Sequence, residues 1–272
     1  MYYLSQKKKL YCNNKYTMLY FFKKNGVDML KKILIKLSGE AIGKEGGYND
    51  DLIISIVKQI KYIINEKKDV SIVIGGGNIW RGQKARPDMD RVKADQMGML
   101  AIVINAIYIS EIFKLYNVNA KVMTPIVIGN MTEVYEKNRA IEYMKQGTVI
   151  INAAGLGHPY FSSDTVAALR AAELKADCIL YAKNIDGVYE QDPKKYPSAR
   201  KFKEICYEYI IKNGLDFADI SAMDLLSNAK IPAYVFDLEK EDSIKLAADY
   251  PDTKCLDGTY INYNNIKESF YE

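Results

Sequence analysis

The chain has 272 residues, of which 49% are hydrophobic and 26% are charged, an ordinary balance for a globular protein with a sizeable core. Its net charge is +4, but the first 32 residues hold eight Lys and one Asp, so the remainder carries a charge of −3. That balance argues against nucleic-acid binding over the body of the chain. Four scattered cysteines, with no CxxC pair, indicate a reducing compartment, and we expect a cytoplasmic protein.

Residues 1–28 differ from the rest because Tyr, Lys and Asn dominate them. Their longest apolar run, 18–22, is too short for a signal-peptide core or a membrane span. We predict a disordered basic extension over 1–28 and a single domain over 29–272, with no membrane contact. An organelle transit peptide and a true start at Met29 remain open alternatives.

From residue 30 onwards, apolar β-branched runs alternate with amphipathic helical stretches, which predicts parallel strands joined by right-handed crossovers. The expected fold class is α/β, a three-layer αβα sandwich with a mostly parallel central sheet. Asp257-Gly258 also predicts a hairpin turn. Strands are predicted at 30–37, 70–74, 120–124, 148–153, 178–182 and 233–236, and helices at 51–66, 90–115, 133–144, 165–175, 203–212 and 221–229.

The strand predicted at 70–74 ends in three consecutive glycines, Gly75, Gly76 and Gly77, and Arg81 follows four residues later. Without side chains in the way, backbone N–H groups can approach a phosphate, and a guanidinium can fork onto its oxygens. The alternative is a tight turn that binds nothing. A similar question surrounds Lys36, which is either a phosphate ligand or a solvated lysine at the end of the first strand.

A second glycine-rich segment, 154–164, follows the strand predicted at 148–153 and precedes the helix predicted at 165–175. The N–H groups and the dipole at a helix N-terminus favour the binding of an anion. Ser163 or Asp164 is expected to cap that helix. The alternative, functional role for Asp164 is to pair with a metal ion or a lysine. His158, the single histidine, has no triad partner nearby, so we expect a structural or ligand-contacting role for it.

The remaining chemistry-bearing residues are acids, with Asp95, Asp192 and Asp224 joining Asp164. The sequence has no nucleophile–base pair and no metal-ligand cluster. Phosphoryl transfer fits this set, because the protein need only align two phosphates and neutralise developing charge with preorganised donors.

Four motifs, in this order, resemble bacterial UMP kinase (uridylate kinase), of the amino acid kinase superfamily. They are Lys36-Leu37-Ser38-Gly39-Glu40-Ala41, Ile74-Gly75-Gly76-Gly77-Asn78-Ile79-Trp80-Arg81-Gly82, Asp95-Gln96-Met97-Gly98-Met99-Leu100-Ala101 and Asp186-Gly187-Val188-Tyr189. The resemblance covers about 29–265. It implies an amino acid kinase-like fold and an ATP- and Mg²⁺-dependent transfer of the γ-phosphoryl group to UMP, giving UDP in pyrimidine nucleotide biosynthesis.

The resemblance also implies a homo-oligomer, expected as a hexamer built from dimers, with GTP activation and UTP inhibition as expected effects. Residues 43–48 match a segment that some members use in GTP activation. Mg²⁺ is expected to arrive with ATP, so no metal site built from protein ligands is expected.

Carried over onto this sequence, the family's functional residues fall into three groups. The ATP side is expected to comprise Lys36, Leu37, Ser38, Gly39, Gly77, Arg81, Lys183, Tyr189 and Asp192. The UMP side is expected to comprise Gly76, Asp95, Leu156, Gly157, His158, Pro159, Tyr160, Phe161, Ser162 and Ser163. The catalytic groups are expected to be Lys36, Arg81, Asp164 and Asp224.

The chain departs from many members at Leu156 and His158, where they have Thr and Asn. A leucine side chain cannot hydrogen-bond, so one uracil contact must come from the backbone or elsewhere. We still predict UMP as the preferred acceptor. The rival functions are another kinase of the superfamily acting on a carboxylate or carbamate, a non-catalytic nucleotide-binding module, and nucleic-acid binding through the basic arm.

Overall fold

The computed structural model describes residues 30–82, 85–215, 217–249, 257–264 and 267–271. The predicted extension, 1–28, and the alternative start at Met29 lie outside the described residues.

Twelve strands are present in the described part of the chain. They are β1 Lys32–Leu37, β2 Gly43–Lys44, β3 Gly47–Tyr48, β4 Asp69–Ile74, β5 Ala120–Thr124, β6 Glu133–Val134, β7 Val149–Asn152, β8 Cys178–Lys183, β9 Phe202–Cys206, β10 Ala233–Asp237, β11 Thr259–Asn262 and β12 Ser269–Phe270. The same part of the chain contains eight helices: α1 Gly39–Ile42, α2 Asp50–Asn65, α3 Arg91–Leu115, α4 Lys137–Lys145, α5 Ser163–Leu174, α6 Tyr207–Asn213, α7 Ile220–Ala229 and α8 Ser243–Asp249.

Ten of these strands form one sheet in the order β12-β9-β11-β10-β8-β1-β4-β7-β5-β6, while β2 and β3 form a small separate hairpin. Within the large sheet only the β10–β11 and β9–β12 pairs are antiparallel. The mostly parallel sheet predicted from the sequence is confirmed. Strand β1 lies between β8 and β4, and its Lys36 is in register with Tyr181 on one side and Val73 on the other.

Helices cover the sheet as two groups that pack among themselves. Helices α1, α2, α3 and α8 form one group, and α4, α5, α6 and α7 form the other. The central strands are buried along nearly their whole length, as β1 and β4 show. A strand covered on both faces reads as a nearly continuous apolar run, which explains Ile33 to Ile35 and the run Val70 to Ile74, interrupted only by the buried Ser71. The three-layer sandwich is thus confirmed.

Three local predictions were wrong. The helix expected at 203–212 is strand β9 followed by α6, because Phe202 and Ile205 are buried and β9 pairs with β11 and β12. Pairing at a sheet edge overrides the local helix preference. The helix expected from 133 begins at Lys137, after the short strand β6. Asp257-Gly258 does not close a two-residue hairpin, since α8 lies between the paired strands β10 and β11.

Helix α3 is long and apolar enough, by length and composition, to cross a membrane. In this fold it packs against β4, β5 and β7. Its middle also carries the fully buried Asn105, which donates to the Gly75 carbonyl at 2.8 Å. These contacts identify α3 as a core helix of the sandwich.

Helix α8 was not predicted, and its first turn is capped by a distant side chain. Gln59 of α2 is buried, and its Oε1 accepts from the N–H groups of Ile244 at 2.9 Å and Lys245 at 3.2 Å. Its Nε2 donates to Ser55 Oγ at 3.2 Å. The amide thus joins the two helices of one layer.

We predict that Gln59→Leu lowers the free energy of unfolding by about 1–3 kcal/mol, because it leaves two N–H groups without an acceptor. Gln59→Glu is the matched control. It keeps an acceptor at the helix N-terminus, where a negative charge is favourable. Urea unfolding of the three proteins measures the difference. A loss in the Glu variant as large as in the Leu variant would contradict this capping role.

Candidate active site

The main cavity lies where the carboxyl ends of β1, β4 and β7 meet the N-terminus of α5, and its volume is about 600 Å³. Ligand sites of open α/β sheets form at this edge, because the loops that follow parallel strands converge there. The cavity brings together predicted ATP-side and UMP-side residues. Those that line it are Lys36, Ser38, Gly39, Gly76, Gly77, Arg81, Asp95, His158, Phe161, Ser162, Ser163 and Asp164.

The loop after β1 packs directly on the loop after β4. A Cβ atom at Gly39 would lie 2.5 Å from the Gly75 oxygen and 2.8 Å from the Gly77 nitrogen, so the approach requires glycine. The Gly75 N–H donates to the Leu37 carbonyl at 3.1 Å, which continues the sheet ladder into the loops. The two predicted phosphate loops therefore form one continuous surface of the cavity.

Lys36 and Asp164 form a buried ion pair at this surface. Lys36 Nζ lies 2.7 Å from Asp164 Oδ1, and the two side chains are only 9% and 15% exposed. The other oxygen, Oδ2, lies 3.7 Å from Nζ of Lys183, the last residue of β8. Burial of Lys36 excludes the alternative of a solvated lysine at the strand end. We call these three side chains the lysine–aspartate triad.

Burial alone would raise the pKa of Asp164, but the charges of Lys36 and Lys183 outweigh it and hold the pKa below its usual range. The carboxyl group is therefore ionised at neutral pH. Two lysines and one carboxylate leave the triad with a charge of about +1 when all three are ionised. An excess positive charge in a poorly solvated position suits a site for phosphate groups.

The N-terminus of α5 is capped one residue earlier than predicted. Ser162 Oγ accepts from the N–H groups of Asp164 at 3.1 Å and Thr165 at 3.2 Å. Because Ser162 is the cap, the Asp164 carboxylate is free to face the two lysines. Of the two functional roles expected for Asp164, metal ligand or lysine partner, its geometry supports the lysine partner.

Asp219 ties this helix N-terminus to the neighbouring α7. It accepts from Thr165 Oγ1 at 2.8 Å, contacts Ser162 Oγ, and caps α7 through the N–H of Ala222 at 2.9 Å. The sequence reasoning did not identify Asp219. The only available signal was an Asp before an apolar helix, which predicts a cap and not a link to α5.

Arg81 reaches the cavity from the loop after β4 and forms an ion pair with Glu40. Its side chain is 40% exposed, so it can reorient toward a ligand more easily than the buried Lys36. Glu40 was part of a predicted motif but was not expected to contact Arg81.

Asp95, in the first turns of α3, joins that helix to the second glycine-rich segment, 154–164. Its Oδ1 accepts from Arg91 Nε at 2.8 Å, and its Oδ2 accepts from the Tyr160 N–H at 2.8 Å. Burial would raise the pKa of Asp95, but these two donors and the charge of Arg91 lower it below the usual range. The Arg91 guanidinium also lies 5.4 Å from the centre of the Tyr160 ring.

Several predicted site residues lie outside the lining of this cavity. Leu156 packs against the apolar core, and Tyr189 donates to Asp186 Oδ1 at 2.8 Å. Asp192 is exposed and accepts from the Lys194 N–H at 3.0 Å, while Asp224 is exposed on α7. The full set outside the lining is Leu37, Leu156, Gly157, Pro159, Tyr160, Lys183, Tyr189, Asp192 and Asp224.

Among the described residues, no group of three or more His, Cys, Asp or Glu side chains is arranged to hold a metal ion. The carboxylates that line the cavity, Glu40, Asp95 and Asp164, each face a cationic side chain. Such a donor set fits Mg²⁺ bound mainly by phosphates and water with one or two carboxylates, and does not form a cage made only of protein ligands.

Comparisons with known proteins agree with the fold and the motifs. The model of the amino acid kinase family matches residues 31–237. The crystal structure of UMP kinase from Bacillus anthracis is 31% identical and superposes with a TM-score of 0.83, covering 90% of this chain and 100% of that chain. UMP kinase from Ureaplasma parvum is 34% identical, with a TM-score of 0.80, covering 86% of this chain and 100% of that chain. The chain therefore belongs to the amino acid kinase family, and the resemblance to UMP kinases expected from its motifs is confirmed.

Proposed function

We propose that the protein transfers the γ-phosphoryl group of ATP to UMP, giving UDP and ADP. The observation that carries this proposal is the lysine–aspartate triad beside the joined glycine loops, whose Lys36 and Asp164 line the same cavity as Arg81. Phosphoryl transfer requires alignment of two nucleotides and neutralisation of charge on the equatorial oxygens. The phosphate of UMP is already an anion at neutral pH, so no general base is required.

In this reaction Lys36 and Arg81 stabilise the charge that develops on the transferred group, and Asp164 orients Lys36. The backbone of Leu37, Ser38, Gly39 and Gly77 lies along the ATP phosphates. Lys183 does not line the cavity, and it contributes the second positive charge of the triad, since its Nζ approaches Asp164 Oδ2. Tyr189 and Asp192 then remain for the adenine and ribose.

Mg²⁺ brought in with ATP would supply further neutralisation of the phosphate charge. Asp164 is the carboxylate that would provide a protein ligand to it, because it lines the cavity beside Lys36. The remaining ligands would be phosphate oxygens and water.

UMP is held on the other side by Gly76, Asp95 and the segment 156–163. Leu156 packs into the core and has no polar side-chain atom, which supports uracil recognition through the backbone of this segment. His158 lines the cavity and is exposed, so its side chain can add a contact. A loop that pairs its backbone with uracil leaves those groups unpaired with cytosine, so UMP is the preferred acceptor over CMP.

The assembly is a homo-oligomer, a hexamer built from three dimers, in the cytoplasm. Support comes from the family resemblance and from an exposed apolar face on α3 formed by Met97, Leu100 and Ile104, which are 41%, 52% and 53% exposed. Apolar faces of this kind mark interaction surfaces. GTP activation and UTP inhibition rest on the family resemblance alone.

We expect Lys36→Ala and Arg81→Ala each to lower kcat by ~10²–10³, because each removes a donor at the position where charge develops. Binding of UMP, measured by calorimetry, should weaken far less. Arg86→Ala is the matched control, since Arg86 forms an exposed ion pair with Asp88 at 2.8 Å nearby in the chain. Near-normal turnover in both variants would overturn the mechanism.

A second pair of variants decides between the two proposed catalytic acids. Asp164→Asn keeps the shape of the side chain but leaves Lys36 and Lys183 without their counter-charge, and we expect a loss in kcat of ~10² or more. Asp224→Asn should cost less, because Asp224 does not line the cavity. Initial rates of ADP formation at saturating substrates measure both. The reverse order of effects would assign the catalytic role to Asp224.

Ile104→Glu should convert the oligomer into smaller species, because a charge placed in an apolar interface is costly to desolvate. Tyr263→Glu is the control, since Tyr263 is an exposed aromatic residue outside α3. Sedimentation velocity measures the species present. An unmutated protein that sediments as a monomer at micromolar concentration would contradict the oligomer itself.

A further inference from the structure

The proposed function assigns no role to Asn78, which follows the three glycines and joins their loop to α3. Asn78 forms a reciprocal amide pair with Asn105, in which Asn105 Nδ2 donates to Asn78 Oδ1 at 2.7 Å and Asn78 Nδ2 donates to Asn105 Oδ1 at 3.1 Å. Asn105 Nδ2 also donates to the Gly75 carbonyl at 2.8 Å. One side chain of α3 therefore contacts both ends of the segment 75–78.

Asn105 is completely buried in an otherwise apolar stretch of α3. A buried amide is costly unless its polar atoms are hydrogen-bonded. Here both donors of Nδ2 are used, and Oδ1 accepts a second bond from the Tyr48 hydroxyl at 2.9 Å. An apolar residue of similar size would fill the same space in the core without these hydrogen bonds. We therefore infer that the amide at this position holds the glycine loop and is not needed for the packing of α3.

The loop also rests on α3 through its backbone. A Cβ atom at Gly76 would lie 3.0 Å from Ala101 Cβ and 3.0 Å from the Gly98 carbonyl. This packing fixes the distance between loop and helix, but packing alone does not fix how the peptide planes are turned. The hydrogen bonds from Asn105 to Gly75 and Asn78 supply that orientation, because hydrogen bonds are directional.

We propose that Asn105 is a positioning residue for phosphoryl transfer, which acts through Asn78 and the Gly75 carbonyl to hold the backbone of Gly75 to Gly77 in the orientation that the phosphates require. The inference rests on the proposed function. Asn105 does not line the cavity, so it does not contact the substrates. Misplacement of the loop should therefore reduce the rate of transfer more than the binding of either nucleotide.

The test is Asn105→Asp, which keeps the shape of the side chain and removes its donors. Above its pKa, the new carboxylate would face the Gly75 carbonyl without a proton between them. Burial raises the pKa of a carboxyl group, and the protonated acid again offers one O–H donor to that carbonyl. The ratio of variant to unmutated kcat should therefore be low at pH 9 and rise as the pH falls toward 6.

The titratable group that contacts Asn105 is the Tyr48 hydroxyl, whose pKa burial raises above 10, so it stays protonated over this range. Beyond it, Tyr48 stacks on Tyr108 at 3.9 Å between ring centres, and Tyr108 donates to Asp50 at 2.5 Å. The hydrogen bond to Asp50 raises the pKa of Tyr108 above its usual value as well. Changes in the ratio with pH then report on the new carboxyl group.

Asn152→Asp is the matched control, because Asn152 is also a buried amide, in β7, and donates to Ser71 Oγ at 2.8 Å and the Ile72 carbonyl at 3.0 Å. It has no contact with the glycine loop among the bonds described. We expect loss of stability in both variants, but the pH-dependent loss of kcat only in Asn105→Asp. Equal kcat losses that follow the same pH dependence would reduce Asn105 to a structural residue and overturn the inference.

If Asn105→Asp does not fold, Asn78→Ala carries the test, because Asn78 is only half-buried. We expect a fall in kcat of about tenfold or more, with KM values for both nucleotides within about twofold. The rate is measured with whichever acceptor the unmutated protein phosphorylates. The choice of acceptor reports on the proposed function, and the ratio of variant to unmutated kcat reports on Asn105. An unchanged kcat in Asn78→Ala would overturn the inference.

Discussion

The buried pairing of Lys36 with Asp164 is the interaction on which the site depends. Removing two charges from water is costly, and only close approach with further partners repays it. The partners come from three separate elements: Lys36 from β1, Lys183 from β8 and Asp164 from α5. The sheet order places β1 beside β8, so the two lysines reach one carboxylate. Once formed, the triad fixes a positive charge where the two glycine loops meet.

Around this charge, the fold supplies backbone surfaces that approach closely because glycine permits it. Gly39 lies against the loop after β4, and that loop lies against α3. Asp95 joins α3 to the segment after β7, and Asp219 joins α5 to α7. The cavity is thus enclosed by elements that are tied to one another by polar side chains. Such ties suit a reaction that depends on alignment and electrostatic stabilisation.

The sequence predicted the architecture well because the strands are long apolar runs and the loops carry glycine motifs, both of which are local signals. It did not predict the contacts that depend on partners distant in the chain. Gln59 caps α8 from 185 residues away, and β9 is a strand because the sheet edge pairs with it. The cap of α5 was misplaced by one residue, which altered the role available to Asp164. Asp224 matched a family position, yet it lies outside the cavity lining.

This cavity is expected to bind ATP and UMP together and to transfer the γ-phosphoryl group of ATP to UMP, leaving ADP. The most direct measurement is ADP formation in a coupled assay, with UMP, CMP, dUMP and glutamate compared as acceptors under the same conditions with Mg²⁺ and ATP. We expect rapid turnover with UMP, much lower kcat/KM with CMP and dUMP, and no turnover with glutamate. Turnover with glutamate in place of UMP would contradict this function, and so would the absence of phosphoryl transfer to every nucleotide.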